Sequence, residues 1–178
     1  MAKLSLHDLS RRLPSPADLR STFGSLSQDT DRSVAIVAAS VAENALERVI
    51  RARMLVSRRD LSDGLFGHRG PVSDFNGKIQ IAEAFGFIAP PIAFDLQLIR
   101  KIRNAFAHAA SNIGFSTPEV AAAMSNFAIL NAADSVPQGL RMPRDKHGYL
   151  MVVQIILLFL DTDLRSRGYD VVMHEDNS

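Results

Sequence analysis

The chain has 178 residues, enough for one domain with a core of its own, and is 47% hydrophobic and 22% charged, the balance of a soluble globular protein. A formal net charge of +1 argues against a general nucleic-acid binder, which carries a strongly basic face. With no cysteine, a disulfide framework, a thiolate nucleophile and a cysteine-ligated zinc are all excluded, and a reducing cytoplasm is the compartment that fits.

The opening stretch MAKLSLHDLSRRLPSP has no apolar run of signal-peptide length, so export is not expected. Two short helical pieces are predicted here: Ser5 caps LHDLSRRL, and Ser15 followed by Pro16 opens PADLRSTF. They read as an N-terminal arm, residues 1–29. Val34, Val37, Ala38, Val41, Ala45, Leu46, Val49 and Ile50 then recur at three- and four-residue steps. That stripe predicts a long central helix, capped by Asp29, Thr30 or Asp31 and running to about Leu55.

SRRDLSDGLFGHRGPVSDF is punctuated by Gly64, Gly67, Gly70 and Pro71 and reads as a loop with one helical turn. Ser73 or Asp74 starts a helix through about Phe85, with Ile79, Ala82 and Phe85 on its inner face, and Gly86 ends it. Pro90 and Pro91 open the next helix, which reaches about Ala110. Thr117, Pro118 and Glu119 start another, with the threonine hydroxyl as its cap. Pro137, Gly139 and Pro143 mark a second irregular stretch. The last helix runs from about His147 to Arg167 and is stopped by Gly168, with 169–178 as a tail. Its twelve-residue apolar run, YLMVVQIILLFL, falls short of the roughly 20 residues of a membrane span and reads as a buried core helix that also suits a dimer face. Short strands near Ser135–Met142 and Val171–Met173 stay open as alternatives. The expected architecture is all-α: a single-domain helical bundle with a long central helix over 30–168.

The helix after Pro91 carries LIRKIRNAFAHAAS, in which polar groups sit among apolar ones. At about 100° per residue, Arg100, Asn104 and His108 share one drifting stripe, Leu98, Ile102, Ala105 and Ala109 another, and Arg103 projects about 140° from His108. Two readings compete. Histidine titrates near neutral pH and moves protons, and arginine presents a charged fork to phosphate, so together they can cleave RNA without metal through its 2′-hydroxyl. The structural alternative has Asn104 and His108 bonding loop backbone while the arginines pair with Glu43, Glu47 or Asp95. The cluster Arg48, Arg51, Arg53, Arg58 and Arg59 admits the same two readings, phosphate contact or complementing a helix C-terminus.

Other chemistries lack their patterns. GLFGHRGP is not a phosphate loop, the five histidines are dispersed without H-E-x-x-H, and there is no serine elbow, dinucleotide fingerprint or helix-turn-helix. No metal or cofactor is expected.

Three blocks, DRSVAIVAASVAENALERVIRARM, GLFGHRGPVSDFNGKIQIAEAFGFI and DLQLIRKIRNAFAH, resemble the mannitol operon repressor family over roughly residues 30 to 165. The resemblance implies an all-helical bundle and negative control of transcription without a conventional DNA-binding motif, and hence a protein partner. RNAFAH also resembles the R-x4–6-H motif of the HEPN superfamily, whose nucleases cleave RNA without metal at a dimer interface. That resemblance makes Arg103, Asn104 and His108 the catalytic candidates under the nuclease alternative. The candidate binding residues are these three together with Arg69, Lys78 and Arg100. The expectation is a cytoplasmic, non-enzymatic regulator without a membrane span, with a metal-independent ribonuclease as the alternative, and with a homodimer and nucleic-acid contact left open.

Overall fold

Prolines, glycines and short polar residues cut the chain into eight helices over the residues that the computed structural model describes, 16–55, 58–67, 69–135 and 141–167. These are α1 (Pro16–Leu26), α2 (Asp31–Ala52), α3 (Arg59–Phe66), α4 (Phe75–Ala84), α5 (Pro90–His108), α6 (Pro118–Met124), α7 (Ala128–Asp134) and α8 (Lys146–Ser166). Among the described residues there is no strand, and the fold is the all-α bundle that the periodicity predicts. The LHDLSRRL piece, Gly168 and the strand alternative at 171–173 lie outside the described residues.

α2 is the axis of the bundle. Thr30 caps it, its hydroxyl accepting from the Ser33 amide at 3.2 Å, and it ends at Ala52, short of the expected Leu55. Arg53 closes it, with its amide bonded to the Val49 and Ile50 carbonyls. The inward positions Ala35, Ala38, Ala39 and Ala42 are small and buried, so neighbouring helices pack close against this axis. α8 runs parallel to α2: the Tyr149 hydroxyl at its start donates to the Ala35 carbonyl at 3.2 Å, and Asp163 at its far end takes an ion pair from Arg53. α5 runs antiparallel: Arg32 donates to the Ala109 and Ser111 carbonyls at 2.9 and 3.3 Å, while Glu43 faces Arg103. Phe106, Phe115, Tyr149 and Phe127 form a chain of ring contacts at 5.2, 5.2 and 6.3 Å that fills the end of the bundle where α5 finishes.

Five expectations change. The segment before Gly67 is a two-turn helix, α3, because Phe66 buries itself under the bundle and the Arg51 guanidinium lies 3.9 Å above its ring. Phe85 is not on the inner face of α4. It is the C-cap and is 67% exposed, because the chain leaves the helix there through Gly86 at φ 66°. Thr117 precedes α6 but its hydroxyl does not cap it; it turns back to accept from the Gly114 amide at 3.0 Å. α8 is only partly buried: Tyr149, Val152, Val153, Ile156 and Leu160 face inward, whereas Leu158 and Phe159 are exposed. It is the one helix among the described residues long and apolar enough to cross a membrane by length and composition, and half of it is buried within the bundle. Phe23 and Leu26 of α1, part of the expected arm, join the core.

The sequence reading did not anticipate α7, which has no local start signal: its N-cap is Phe127, without a side-chain bond. The cap comes from elsewhere. Asp95, fully buried on α5, accepts from the Ala128 amide at 2.7 Å and the Ile129 amide at 3.0 Å. Asp95 is therefore not an arginine partner, and burial raises its carboxyl above the usual range by more than these two amide bonds lower it. Asp95→Ala strands two helix-start amides and is expected to cost about 2–4 kcal/mol in urea unfolding, with hydrogen exchange speeding up first in α7. An unchanged unfolding midpoint would show that α7 starts without it.

Candidate functional site

α5 buries Ala93, Leu96, Ile99, Ile102 and Phe106 against the core. That choice puts Arg100, Arg103 and Asn104 on the flanks and leaves Lys101, Ala105, Ala107 and His108 outside. Arg103 leans toward α2. Its Nη1 donates to Asn104 Oδ1 at 2.9 Å, and its Nη2 stands 3.9 Å from Glu43 Oε2. His108 is the last residue of α5, exposed, with no hydrogen bond to its ring among the described residues. Arg103 and His108 thus point to different sides of the helix, as the 140° offset requires.

Beneath Arg103 lies a buried ion network. Lys78 of α4 is 5% exposed and donates to Glu43 Oε1 at 2.7 Å, with Glu47 Oε2 at 2.9 Å. Glu43 and Glu47 are one turn apart on α2, so their carboxylates face the same ammonium. Arg51, the next turn on, pairs with Glu47 at 2.7 Å and also donates to the Ser62 hydroxyl of α3. Burial works to raise the Glu47 carboxyl, but the bonds from Lys78 and Arg51 outweigh it and hold the group below the usual range. Two carboxylates meet three cations here, and the uncompensated positive charge falls on Arg103, the most exposed of the three. Nearby, burial pushes the Tyr149 phenol far above its ordinary range, more than the charge of Arg103 pulls it back, so it stays a neutral donor.

The candidate residues divide accordingly. Lys78, Arg103 and Asn104 come together around Glu43. Arg100, one turn away, is held by Gln97, whose amide in turn bonds Asn76. Arg69 is exposed, and no hydrogen bond or ion pair links it, or the described residues of the 67–71 loop, to Arg103, Asn104 or His108. In the arginine cluster, Arg51 and Arg53 are committed to Glu47 and Asp163. Of the proposed acid partners, Glu43 and Glu47 serve and Asp95 does not. The centre of the network, Lys78 between two glutamates, had one signal in the sequence: Glu43 and Glu47 at helical spacing on an apolar helix, where unpaired charge is costly. Chemically, the arrangement offers a guanidinium fork toward the surface, and among the described residues no base stands within hydrogen-bond reach of it, the Glu43 carboxylate being 3.9 Å away. Comparison with family models, curated proteins and solved structures returns no match.

Removing one partner of a buried pair leaves bare charge. Lys78→Met is expected to cost about 3–5 kcal/mol in chemical unfolding. The wild type should also lose stability in acid. A depressed carboxyl such as Glu47 stabilises the fold above its unfolded pKa, and that contribution goes as pH falls below about 4. Urea midpoints measured against pH test both points. In Lys78→Met, loss of the ammonium should move the Glu47 contribution to higher pH; an identical acid profile would show that the pair does not govern it.

Proposed function

We propose that this chain is a non-enzymatic regulatory protein that acts through protein contacts, in the manner of the mannitol operon repressors that its three sequence blocks resemble. The observation that supports this reading most directly is the divergence of Arg103 and His108. General acid–base cleavage needs both groups to converge on one reacting phosphate and ribose. In this chain the guanidinium is bonded to Asn104 and turned to Glu43, while the imidazole stands on another side of the helix. RNAFAH then serves as a structural flank of α5 with an exposed end suited to contact. The near-zero net charge supports a protein partner over direct reading of an operator.

One observation favours the ribonuclease alternative: His108 is exposed, and its ring has no hydrogen bond among the described residues, so it can meet another molecule. The deciding experiment incubates labelled RNA in excess EDTA with the wild type, Arg103→Ala and His108→Ala. The expected result is intact RNA in all three, together with weak, salt-sensitive binding to operator DNA. Cleavage by the wild type that both substitutions abolish would overturn the regulatory reading and make Arg103 and His108 catalytic.

A further inference from the structure

The outward face of α5 is cationic along its middle. A turn of about 100° per residue sets Phe94, Gln97, Lys101, Asn104, Ala105 and His108 opposite the buried Ile99, Ile102 and Phe106, and all six are exposed or half-buried. Arg100 stands at the edge of this stripe and Arg103 on the flank beyond it. From Leu96 to Pro118 the sequence has no aspartate or glutamate. Lys101 is exposed and takes no ion pair among the described residues. Arg100 is steadied through one nitrogen: its Nε donates to Gln97 Oε1 at 2.9 Å, and Gln97 Nε2 donates to Asn76 Oδ1 of α4 at 2.9 Å. Its two Nη groups, the end of the guanidinium that grips a carboxylate with paired bonds, have no partner among the described residues.

On α5 and the helices that pack against it, the carboxylates are engaged elsewhere or stand at its ends. Asp95 is buried at the start of α7. On α2, Asp31 accepts from the Phe115 amide at 2.9 Å, and Glu43 and Glu47 face Lys78, Arg51 and Arg103. Asp74 at the cap of α4 accepts from the Gly77 amide at 2.7 Å, and Asp134 of α7 pairs with Arg144. Among the described residues of these helices that leaves Glu83, in the last turn of α4 next to the connection into α5, and Glu119, which opens α6 just past Phe115 at the other end.

We propose that this face of α5 receives an acidic segment of a protein partner. Its carboxylates meet the Nη pair of Arg100 and the ammonium of Lys101, and its apolar side chains meet Phe94 and Ala105, which follow Lys101 along one edge of the stripe. The inference rests on the regulatory reading above and names the chemistry of the partner. The pattern of the face selects protein over nucleic acid. A nucleic-acid strand asks for a cation at phosphate after phosphate along its path. This face has its three cations, Arg100, Lys101 and Arg103, within one turn, then amides and alanines, with a carboxylate toward either end. A short run of acids with apolar neighbours matches that order.

The test titrates the full chain into three fluorescein-labelled probes at low salt: a peptide of glutamate, leucine and alanine, the same peptide with glutamine for glutamate, and a single-stranded RNA of equal length. Fluorescence anisotropy should show saturable binding of the glutamate peptide that weakens as salt rises, and at least about tenfold weaker binding of the glutamine peptide. Lys101→Glu should weaken the glutamate peptide about tenfold. Arg165→Glu makes the same charge reversal on α8, away from this face, and should leave the affinity within about twofold of the wild type. Circular dichroism establishes that both variants keep their helices, and Lys101→Gln, with an expected loss of about threefold, serves should the reversal unfold the chain. No saturable binding of the glutamate peptide overturns the proposal, as would follow if the chain's own residues cover the face. So does an equal loss in Lys101→Glu and Arg165→Glu, or RNA bound more tightly than the peptide. The regulatory reading is decided separately: a chain that leaves RNA intact in EDTA yet ignores the acidic peptide refutes this inference alone, whereas cleavage of RNA refutes both.

Discussion

An ammonium group taken out of water must be met by carboxylates, and that demand ties three helices of this bundle together. Lys78 sits on α4, Glu43 and Glu47 on α2, and Arg103 of α5 leans on the same carboxylate from outside. None of the three helices can shift along another without exposing a charge to a low-dielectric surrounding. Hydrophobic packing alone is more permissive, since alanine-lined faces such as that of α2 slide at modest cost. The ion network thus fixes the register of helices that the apolar core merely holds together. Through Arg51 it reaches α3, whose one deeply buried apolar anchor is Phe66.

The same residues decide what the chain offers to other molecules. Most of its interior cations are already answered: Lys78 by two glutamates, Arg51 by Glu47 and Ser62, Arg53 by Asp163. Arg103 is the most exposed of the cations in this network, and its Nη1 donates to the side-chain carbonyl of Asn104. Of the polar residues that the sequence marks as candidates, Lys78, Arg103 and Asn104 meet around Glu43. On α5, Lys101 and His108 face outward, with Arg100 and Arg103 on the flanks.

Much of the fold was legible because its signals are local. Thr30, Asp74 and the Pro90–Pro91 pair mark helix starts by their own side chains or fixed dihedrals, and Gly86 marks a stop because a positive φ suits it. What escaped was non-local. α7 depends on a carboxylate 33 residues earlier, and nothing within Phe127–Asp134 announces it. Thr117 has the residue type of a cap, yet a loop amide competes for its hydroxyl. The length of α3 follows from an arginine and a phenylalanine meeting across the chain. At the candidate site, the residue types and the angular offset between Arg103 and His108 could be read from spacing. Of the glutamate–lysine centre only the Glu43–Glu47 spacing could be read; their partner Lys78 could not, because it comes from a helix that is distant in sequence.

Tyr149 gives this architecture an optical dimension. The chain has no tryptophan and two tyrosines, so its near-ultraviolet absorbance is dominated by phenol. The hydroxyl of Tyr149 is buried against the Ala35 carbonyl and resists ionisation far beyond the ordinary tyrosine range. Near pH 11, where an exposed tyrosine ionises (pKa about 10), this ring gives phenolate absorbance when the contact between α8 and α2 opens. The residue that closes the aromatic end of the core is thus a native chromophore for that event in alkali, read as the slower part of a phenolate signal shared with one other tyrosine.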